Sequence, residues 1–167
     1  MHLATFNLYR PKWSRAIQDQ WKNSLIKRRP DLTTVQIDRI ILEMNKSFPD
    51  ANVEQFESLI PKLDLPDKKD NHVLAAAVSC GAELIVTFNL KHFPIKNLKE
   101  FDIEVQHPDI FISGMIQLYP EKSIEAFIQQ VSFLKNPTMT ASQVLTSLEK
   151  VQLFHTCKEL RARIKPI

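Results

Sequence analysis

Two aspartates lie just before an alanine-rich segment, within the sequence LPDKKDNHVLAAA at residues 65–77. A carboxylate at the amino end of a helix can cap its first N–H groups, or it can face a divalent cation. Asp70 is well placed for either role, and capping is the simpler one because Asp is a preferred capping residue. The simpler interpretation of Asp67 is that it is a turn residue without a functional role. The residues by themselves indicate a weak acidic cleft.

A polar residue, Asn89, follows the apolar run ELIVTF at residues 83–88. This run has the length and composition of a strand buried on both faces of a parallel sheet. In such sheets, sites form where strands end and the following helices begin. We therefore expect Asp70 and Asn89 to face one shared cleft.

Other motifs that carry chemistry are absent from the sequence. The five histidines show none of the spacings that are typical of zinc sites, so zinc binding has no support. Packing or capping is the simpler role for His72 and His107. The chain has 2 glycines, which stand far apart and exclude a glycine-rich phosphate loop. A serine-hydrolase nucleophile elbow is also missing.

The composition is ordinary for a globular chain of 167 residues, with 44% hydrophobic and 25% charged residues. The formal net charge of +3 permits contact with nucleic acid but does not require it. Cys80 and Cys157 lie far apart, as expected of reduced thiols. No apolar run is long enough to cross a bilayer, and no signal peptide is visible. We predict a cytoplasmic protein without membrane contact.

Helix and strand patterns supply the elements that position these residues. Apolar spacing predicts two helices in the first 50 residues, the first one capped by Ser14. A helix over residues 72–79, ended by Gly81, follows. A strand, a short crossover helix over 95–101 and a second strand over 103–105 then predict a βαβ unit of a parallel sheet.

Only helices are predicted beyond this unit. Spacing assigns Phe127 and Phe133 to the core of this helical part. We place a domain boundary near residue 112, which divides the chain into an α/β domain at 1–112 and a helical extension at 113–167.

The ordered set of motifs resembles the PIN-domain nucleases, and within them the VapC-type ribonucleases of bacterial toxin–antitoxin pairs. The resemblance rests on LPDKKDNHVLAAA at 65–77, TFNLK at 87–91 and HPD at 107–109, with further matches that begin at Trp13. It spans nearly the whole chain. It implies an α/β fold in which a PIN-like parallel sheet is flanked by helices, with a C-terminal all-helical extension.

The resemblance also implies an activity and its partners. PIN domains gather acidic residues around Mg²⁺ or Mn²⁺ and hydrolyse RNA phosphodiesters. A divalent cation held by carboxylates neutralises charge on phosphoryl oxygens and provides hydroxide near neutral pH. RNA and a cognate antitoxin protein are therefore the implied partners.

The resemblance assigns roles to individual positions. Its catalytic set is Asp70, Asp67, Asn89 and Gln20, of which Asp70 and Asn89 bind the metal. Its substrate-binding positions are Thr87, His72 and Lys91.

This sequence departs from the family pattern at three places. By the resemblance, we expect the chain to lack the family's first strand and the acid that ends it. Gln20 replaces a glutamate, with Asp19 as a possible helper, and His92 replaces an aspartate. Since amide oxygens carry no charge, we expect Mg²⁺ to bind weakly.

Two further hypotheses stay open beside the ribonuclease. One is a catalytically degenerate PIN domain that binds RNA or protein, and the other is a fragment without function. A sheet that lacks its first strand exposes unpaired edges and apolar faces. A homodimer or another partner would cover them.

Overall fold

The structure is a computed structural model that describes residues 1–135 and 137–164. Part of the extension predicted at 113–167 therefore lies outside the described residues. The α-helices of the described chain are α1 (His2–Thr5), α2 (Arg15–Arg28), α3 (Thr34–Ser47), α4 (Asn71–Ser79), α5 (Ile95–Leu98), α6 (Pro108–Leu118), α7 (Pro120–Phe133), α8 (Ala141–Lys150) and α9 (Phe154–Arg163). The strands are β1 (Leu84–Val86) and β2 (Glu104–Gln106), and short 3₁₀ helices cover Pro49–Ala51, Glu57–Lys62, Lys68–Asp70, Leu90–His92 and Lys99–Phe101.

The chain divides into two compact units, each built from separate stretches of sequence. The Asp70 unit comprises Pro11–Ile85 and Asn89–Val105. The Asp109 unit comprises Met1–Arg10, Val86–Phe88 and Gln106–Ile167. A domain boundary near residue 112 stays a prediction.

Helix α4 organises the core of the Asp70 unit. Leu74 and Ala75 are 1% and 0% exposed, and they belong to one apolar cluster with Leu65 and Ile85. The small alanine side chains of α4 allow these neighbours to approach closely. After the helix, Gly81 adopts a φ of +63°, which glycine reaches without strain. The predicted helix and its glycine terminator are confirmed.

Helices α2 and α3 confirm the two helices predicted before residue 50. The side chain of Ser14 caps α2 by accepting a hydrogen bond from the Ile17 N–H at 3.3 Å. Asn45 of α3 then ties the two helices together. Its Oδ1 accepts hydrogen bonds from Trp13 Nε1 and Gln18 Nε2, each at 2.9 Å. This network fixes the start of α2, the helix that carries Gln20.

Strands β1 and β2 form a parallel sheet of two strands, in which the Thr87 N–H donates to the Gln106 carbonyl at 3.0 Å. Helix α5 lies between them in the chain, so the predicted βαβ order and the α/β fold are confirmed. The prediction that β1 is buried on both faces is wrong. Ile85 is 6% exposed, but Val86 is 41% exposed. Successive residues of a strand point to opposite faces, so the face that carries Ile85 is covered and the face that carries Val86 is not.

The described residues of the Asp109 unit form helices α1 and α6 to α9 with their connecting loops, besides its strand residues. Ile116, Phe127 and Val144 are at most 5% exposed and form its apolar core. The prediction that Phe133 is a core residue is wrong, because this side chain is 63% exposed. Phe133 is the last residue of α7, where the apolar stripe ends, and its ring stacks on His2 with centroids 5.9 Å apart.

Residues 1–83 are all described and contain no strand, and an isolated parallel bridge joins Trp13 to Asn52. A homodimer that covers the sheet edges stays a prediction. Within residues 1–135 and 137–164, no helix has the length and apolar character needed to span a bilayer.

Candidate metal centre

Three side chains meet at the start of α4, namely Asp67, Asp70 and His92, and we call them the acid–histidine cluster. Each offers one atom able to bind a metal, and these atoms all lie within 4.8 Å of one another. His92 Nδ1 lies 2.7 Å from Asp70 Oδ2. All three residues are half-buried, so the cluster is held by the fold and remains open to solvent.

Asp70 stands at the N-cap position of α4, but its carboxylate makes no capping hydrogen bond. Its backbone has φ −96° and ψ −4°, in the helical region rather than the extended region that capping residues adopt. The capping interpretation of Asp70 is therefore wrong. The carboxylate instead contacts His92, which leaves the cation-facing role as the one to test.

Asp67 combines the turn role with membership of the cluster. Its Oδ1 accepts a hydrogen bond from the Lys69 N–H at 3.0 Å and so caps the 3₁₀ helix Lys68–Asp70. A carboxylate has two oxygens with about four acceptor positions, so one capping bond does not exhaust it.

His92 is the member of the cluster that sequence reasoning left out of the site. It lies 22 residues from Asp70, and its spacing to other histidines suggests no metal site. The one available signal was its replacement of a family aspartate. The turn that ends at His92 is anchored by Phe93, which is 3% exposed, and by the His92 N–H, which donates to the Asn89 carbonyl at 2.9 Å.

Asn71 is a second residue that sequence reasoning missed, and it positions both aspartates. This side chain is buried at the start of α4, with the residue 5% exposed. Its Oδ1 accepts from the Leu65 N–H at 3.1 Å, and its Nδ2 donates to the Leu63 carbonyl at 2.8 Å. Both bonds hold the segment that precedes Asp67 against α4. An asparagine next to Asp70 gave no sequence signal of this bracing, because its partners are fixed only in the folded chain.

The structure places Gln20 beside the cluster and Asp19 elsewhere. Gln20 Nε2 donates to the Lys69 carbonyl at 3.5 Å, so α2 reaches the loop between the two aspartates. Asp19 lines a cleft with Lys22 and Asp38, and the acid–histidine cluster does not include it.

Three further residues that the resemblance assigns to the site are Asn89, Lys91 and Thr87. Asn89 opens the 3₁₀ turn that ends at His92, and Lys91 within this turn is exposed. Thr87 belongs to the Asp109 unit, where its N–H donates a hydrogen bond to the carbonyl of Gln106 in β2. The roles assigned to these residues stay predictions.

His72, the other predicted contact with substrate, is half-buried. Its Nδ1 is buried without a hydrogen-bond partner among the described residues. Burial lowers the pKa of His72, and the charge of Asp70 offsets part of this effect. A neutral imidazole is therefore favoured beside the carboxylate.

The donor set of the cluster fits a divalent metal ion. Two carboxylates and an imidazole are all common metal ligands. Ligand bonds of about 2.0–2.3 Å place donors on opposite sides of an ion about 4–4.6 Å apart. Since the three atoms already lie within 4.8 Å of one another, small side-chain movements suffice for all of them to reach one ion.

Comparison with protein families agrees with this fold. The sequence model of the PIN domain matches residues 1–91, and that of the VapC50 C-terminal domain matches residues 108–162. Because the first match covers more than half of the chain, the chain belongs to the PIN-domain family. The resemblance to the VapC type is likewise confirmed.

One curated relative is a protein of Mycobacterium tuberculosis (strain ATCC 25618 / H37Rv) named "Putative ribonuclease VapC50". It is 44% identical to this chain over 87 residues, which cover 52% of this chain and 52% of the relative. The chain thus matches about half the length of that protein. No solved structure gives a significant match.

Proposed function

We propose that this chain is a metal-dependent endoribonuclease of the PIN type and the toxin of a toxin–antitoxin pair. The observation that carries the proposal is the acid–histidine cluster at the start of α4 in a chain of this family. The name of the mycobacterial relative supports the choice of RNA as substrate.

Asp67 and Asp70 would hold Mg²⁺ or Mn²⁺, with His92 beside them and Asn89 one turn away. Such an ion, when bound, neutralises phosphoryl charge and lowers the pKa of a water molecule. Asn71 contributes by fixing the loop, so that both carboxylates approach from one side. The contact between His92 and Asp70 restricts the rotamers of that carboxylate and holds it near Asp67.

Two lysines next to the cluster are suited to bind the RNA backbone. Lys69 and Lys91 are exposed, and each directly precedes a member of the cluster. Lys68 is less available, because it forms an ion pair with Asp64. Phosphate contacts position a nucleic acid and make binding dependent on salt, without selecting a sequence. These lysine contacts therefore do not determine which RNA sequence is cleaved.

The proposal is tested by RNA cleavage with the Asp70→Asn variant, which removes the charge and retains the side-chain volume. We expect the rate of RNA cleavage in the presence of Mg²⁺ or Mn²⁺ to fall at least 100-fold, which corresponds to an activation barrier higher by roughly 3 kcal/mol. Asp102→Asn is the matched control, since Asp102 is exposed, lies outside the cluster and adopts a left-handed φ of +54° that asparagine also tolerates. Cleavage by Asp70→Asn at the wild-type rate would refute the proposed site.

Gln20 favours a second candidate, a PIN domain that binds RNA without cutting it. Its uncharged amide lies where the family resemblance calls for a glutamate, beside the Lys69 carbonyl. Under this candidate, wild-type protein binds RNA in EDTA but leaves it intact with Mg²⁺ or Mn²⁺. Gln20→Glu would then introduce cleavage, because it adds the missing negative charge next to the two aspartates.

An antitoxin and a homodimer complete the proposed biology, in the cytoplasm. Co-expression with the product of an adjacent gene should suppress toxicity and yield a stable complex. Light scattering of the purified chain should show a dimer. A monomer that remains soluble at high concentration would argue against the dimer.

A further inference from the structure

We propose that His92 makes the acid–histidine cluster selective for first-row transition ions, such as Mn²⁺ and Co²⁺, over Mg²⁺. The inference deepens the proposed function and rests on it only in taking the cluster as a metal site. It concerns which ion binds, and it does not depend on RNA cleavage.

The geometry places an imidazole nitrogen among the candidate ligands. His92 Nδ1 lies 2.7 Å from Asp70 Oδ2. Neighbouring ligands on one ion lie about 3 Å apart when their bonds are about 2.1–2.2 Å long and at right angles. The observed separation is only slightly shorter, so an ion can replace the proton between these atoms after a small movement.

The fold also limits how far His92 can withdraw from such an ion. The next residue, Phe93, is 3% exposed and belongs to the apolar cluster around α4. The His92 side chain is 26% exposed and the Asp70 side chain 18%. The imidazole is thus held close to the carboxylate rather than extended into solvent.

The donor chemistry then separates the ions. Mg²⁺ prefers oxygen ligands in octahedral geometry and retains several of its waters. Imidazole binds the later first-row ions better, and affinity rises from Mn²⁺ to Co²⁺ and beyond. Among the described residues, the cluster offers Mg²⁺ two carboxylates, while a transition ion also gains the nitrogen. The third ligand therefore adds much more affinity for transition ions than for Mg²⁺.

The test is direct metal binding by calorimetry, with the full chain and with Mg²⁺, Mn²⁺ and Co²⁺ as separate probes and no RNA present. We expect the wild-type protein to bind Co²⁺ at least 100-fold and Mn²⁺ at least tenfold more tightly than Mg²⁺. His92→Asp replaces nitrogen with oxygen and should lower the ratio of Co²⁺ to Mg²⁺ affinity at least tenfold. An unchanged ratio in this variant would overturn the inference.

A matched control and a spectroscopic measurement complete the design. Thr34→Asp adds a carboxylate to the exposed first residue of α3, where a negative charge is tolerated, and should leave the ratio unchanged. Pulsed EPR of Mn²⁺ bound to the wild-type protein should show coupling to an imidazole nitrogen, and this measurement needs no variant to fold. A spectrum without nitrogen coupling would overturn the inference.

The two proposals fail in different ways. Equal affinity for Mg²⁺ and Co²⁺ together with RNA cleavage overturns the inference and leaves the ribonuclease in place. Selective metal binding without any RNA cleavage supports the inference and refutes the ribonuclease. Failure of all three ions to bind overturns the inference and also the metal dependence on which the proposed activity rests.

Discussion

Each unit pairs an aspartate with a histidine at the amino end of a helix, yet the two carboxylates are bonded differently. Asp70 contacts His92 at 2.7 Å and makes no bond to the N–H groups of its helix. Asp109 contacts His155 at 2.8 Å and also accepts from the backbone N–H groups of His155 and Thr156, at 2.9 and 2.7 Å. These bonds cap α9, whose own N-cap residue has no capping side chain.

The electrostatics of the two aspartates follow from these bonds. Asp109 is 3% exposed, and burial alone would raise its pKa. Hydrogen bonds from the Thr156 and His155 N–H groups outweigh burial and lower the pKa of Asp109 from 3.8 to about 2. Its acceptor capacity is used by the fold, whereas Asp70 keeps capacity for an ion. An Asp–His contact therefore does not identify a site until the remaining bonds of the carboxylate are known.

The largest expected difference concerns stability after removal of each carboxylate. Asp109→Ala leaves the buried Thr156 N–H and the part-buried His155 N–H without acceptors, so we expect the free energy of unfolding to fall by roughly 2–4 kcal/mol. Asp70→Ala should lower it by less than about 1 kcal/mol, because no capping bond is lost. Urea unfolding of both variants measures the difference. Equal losses would remove the distinction between the two pairs.

Asn71→Ala should show that the Asp70 site also needs a structural brace. We expect the free energy of unfolding to fall by roughly 1–3 kcal/mol, since the buried Leu65 N–H loses its acceptor. Metal affinity should fall as well, because the segment before Asp67 is released. Calorimetry at a temperature where the variant is still folded separates these effects. Unaltered affinity for Mn²⁺ would contradict the bracing role.

The pH dependence of the free energy of unfolding should reveal the lowered pKa of Asp109. A pKa that is lower in the folded state gives a contribution that is complete above the unfolded pKa of 3.8 and is lost as the pH falls through about 2. The shift corresponds to about 2 kcal/mol. Urea midpoints of the wild-type protein between pH 5 and pH 2 should contain this loss. Asp109→Asn should lack it, and identical profiles would contradict the assignment.

The smallest expected effect is that of His155→Ala. The His155 side chain is 68% exposed, and its backbone N–H still caps onto Asp109 in the variant. We expect the free energy of unfolding to change by less than about 1 kcal/mol. Thermal unfolding checks this value. A loss as large as that of Asp109→Ala would mean that the ring contact, rather than the backbone N–H bonds, stabilises this pair.

Local patterns of the sequence were sufficient for much of the fold. Helix α4 follows from its alanine-rich run and from Gly81, the residue that accepts the left-handed turn after it. The cap at Ser14 and the βαβ order were likewise predicted. These features depend on residues within a few positions of one another, so periodicity and turn chemistry are enough to predict them.

The candidate site was predicted only in part. Asp70, Asp67 and Gln20 were assigned from the family resemblance, and they do lie around one loop. His92 and Asn71 were missed, and Asp70 had been interpreted more simply as a cap. A capping residue and a metal ligand can be the same amino acid at the same helix position. The backbone angles and the partner of the side chain distinguish them, and both are set by tertiary contacts.

The sequence by itself determined the order of the elements and the carboxylates at the head of α4. Only the tertiary structure decided that the Asp109 carboxylate caps a helix and that the Asp70 carboxylate does not. The contacts that decide it join residues 22 positions apart at Asp70 and His92 and 46 apart at Asp109 and His155. Such pairings depend on how loops return after each helix, and no local pattern specifies that path.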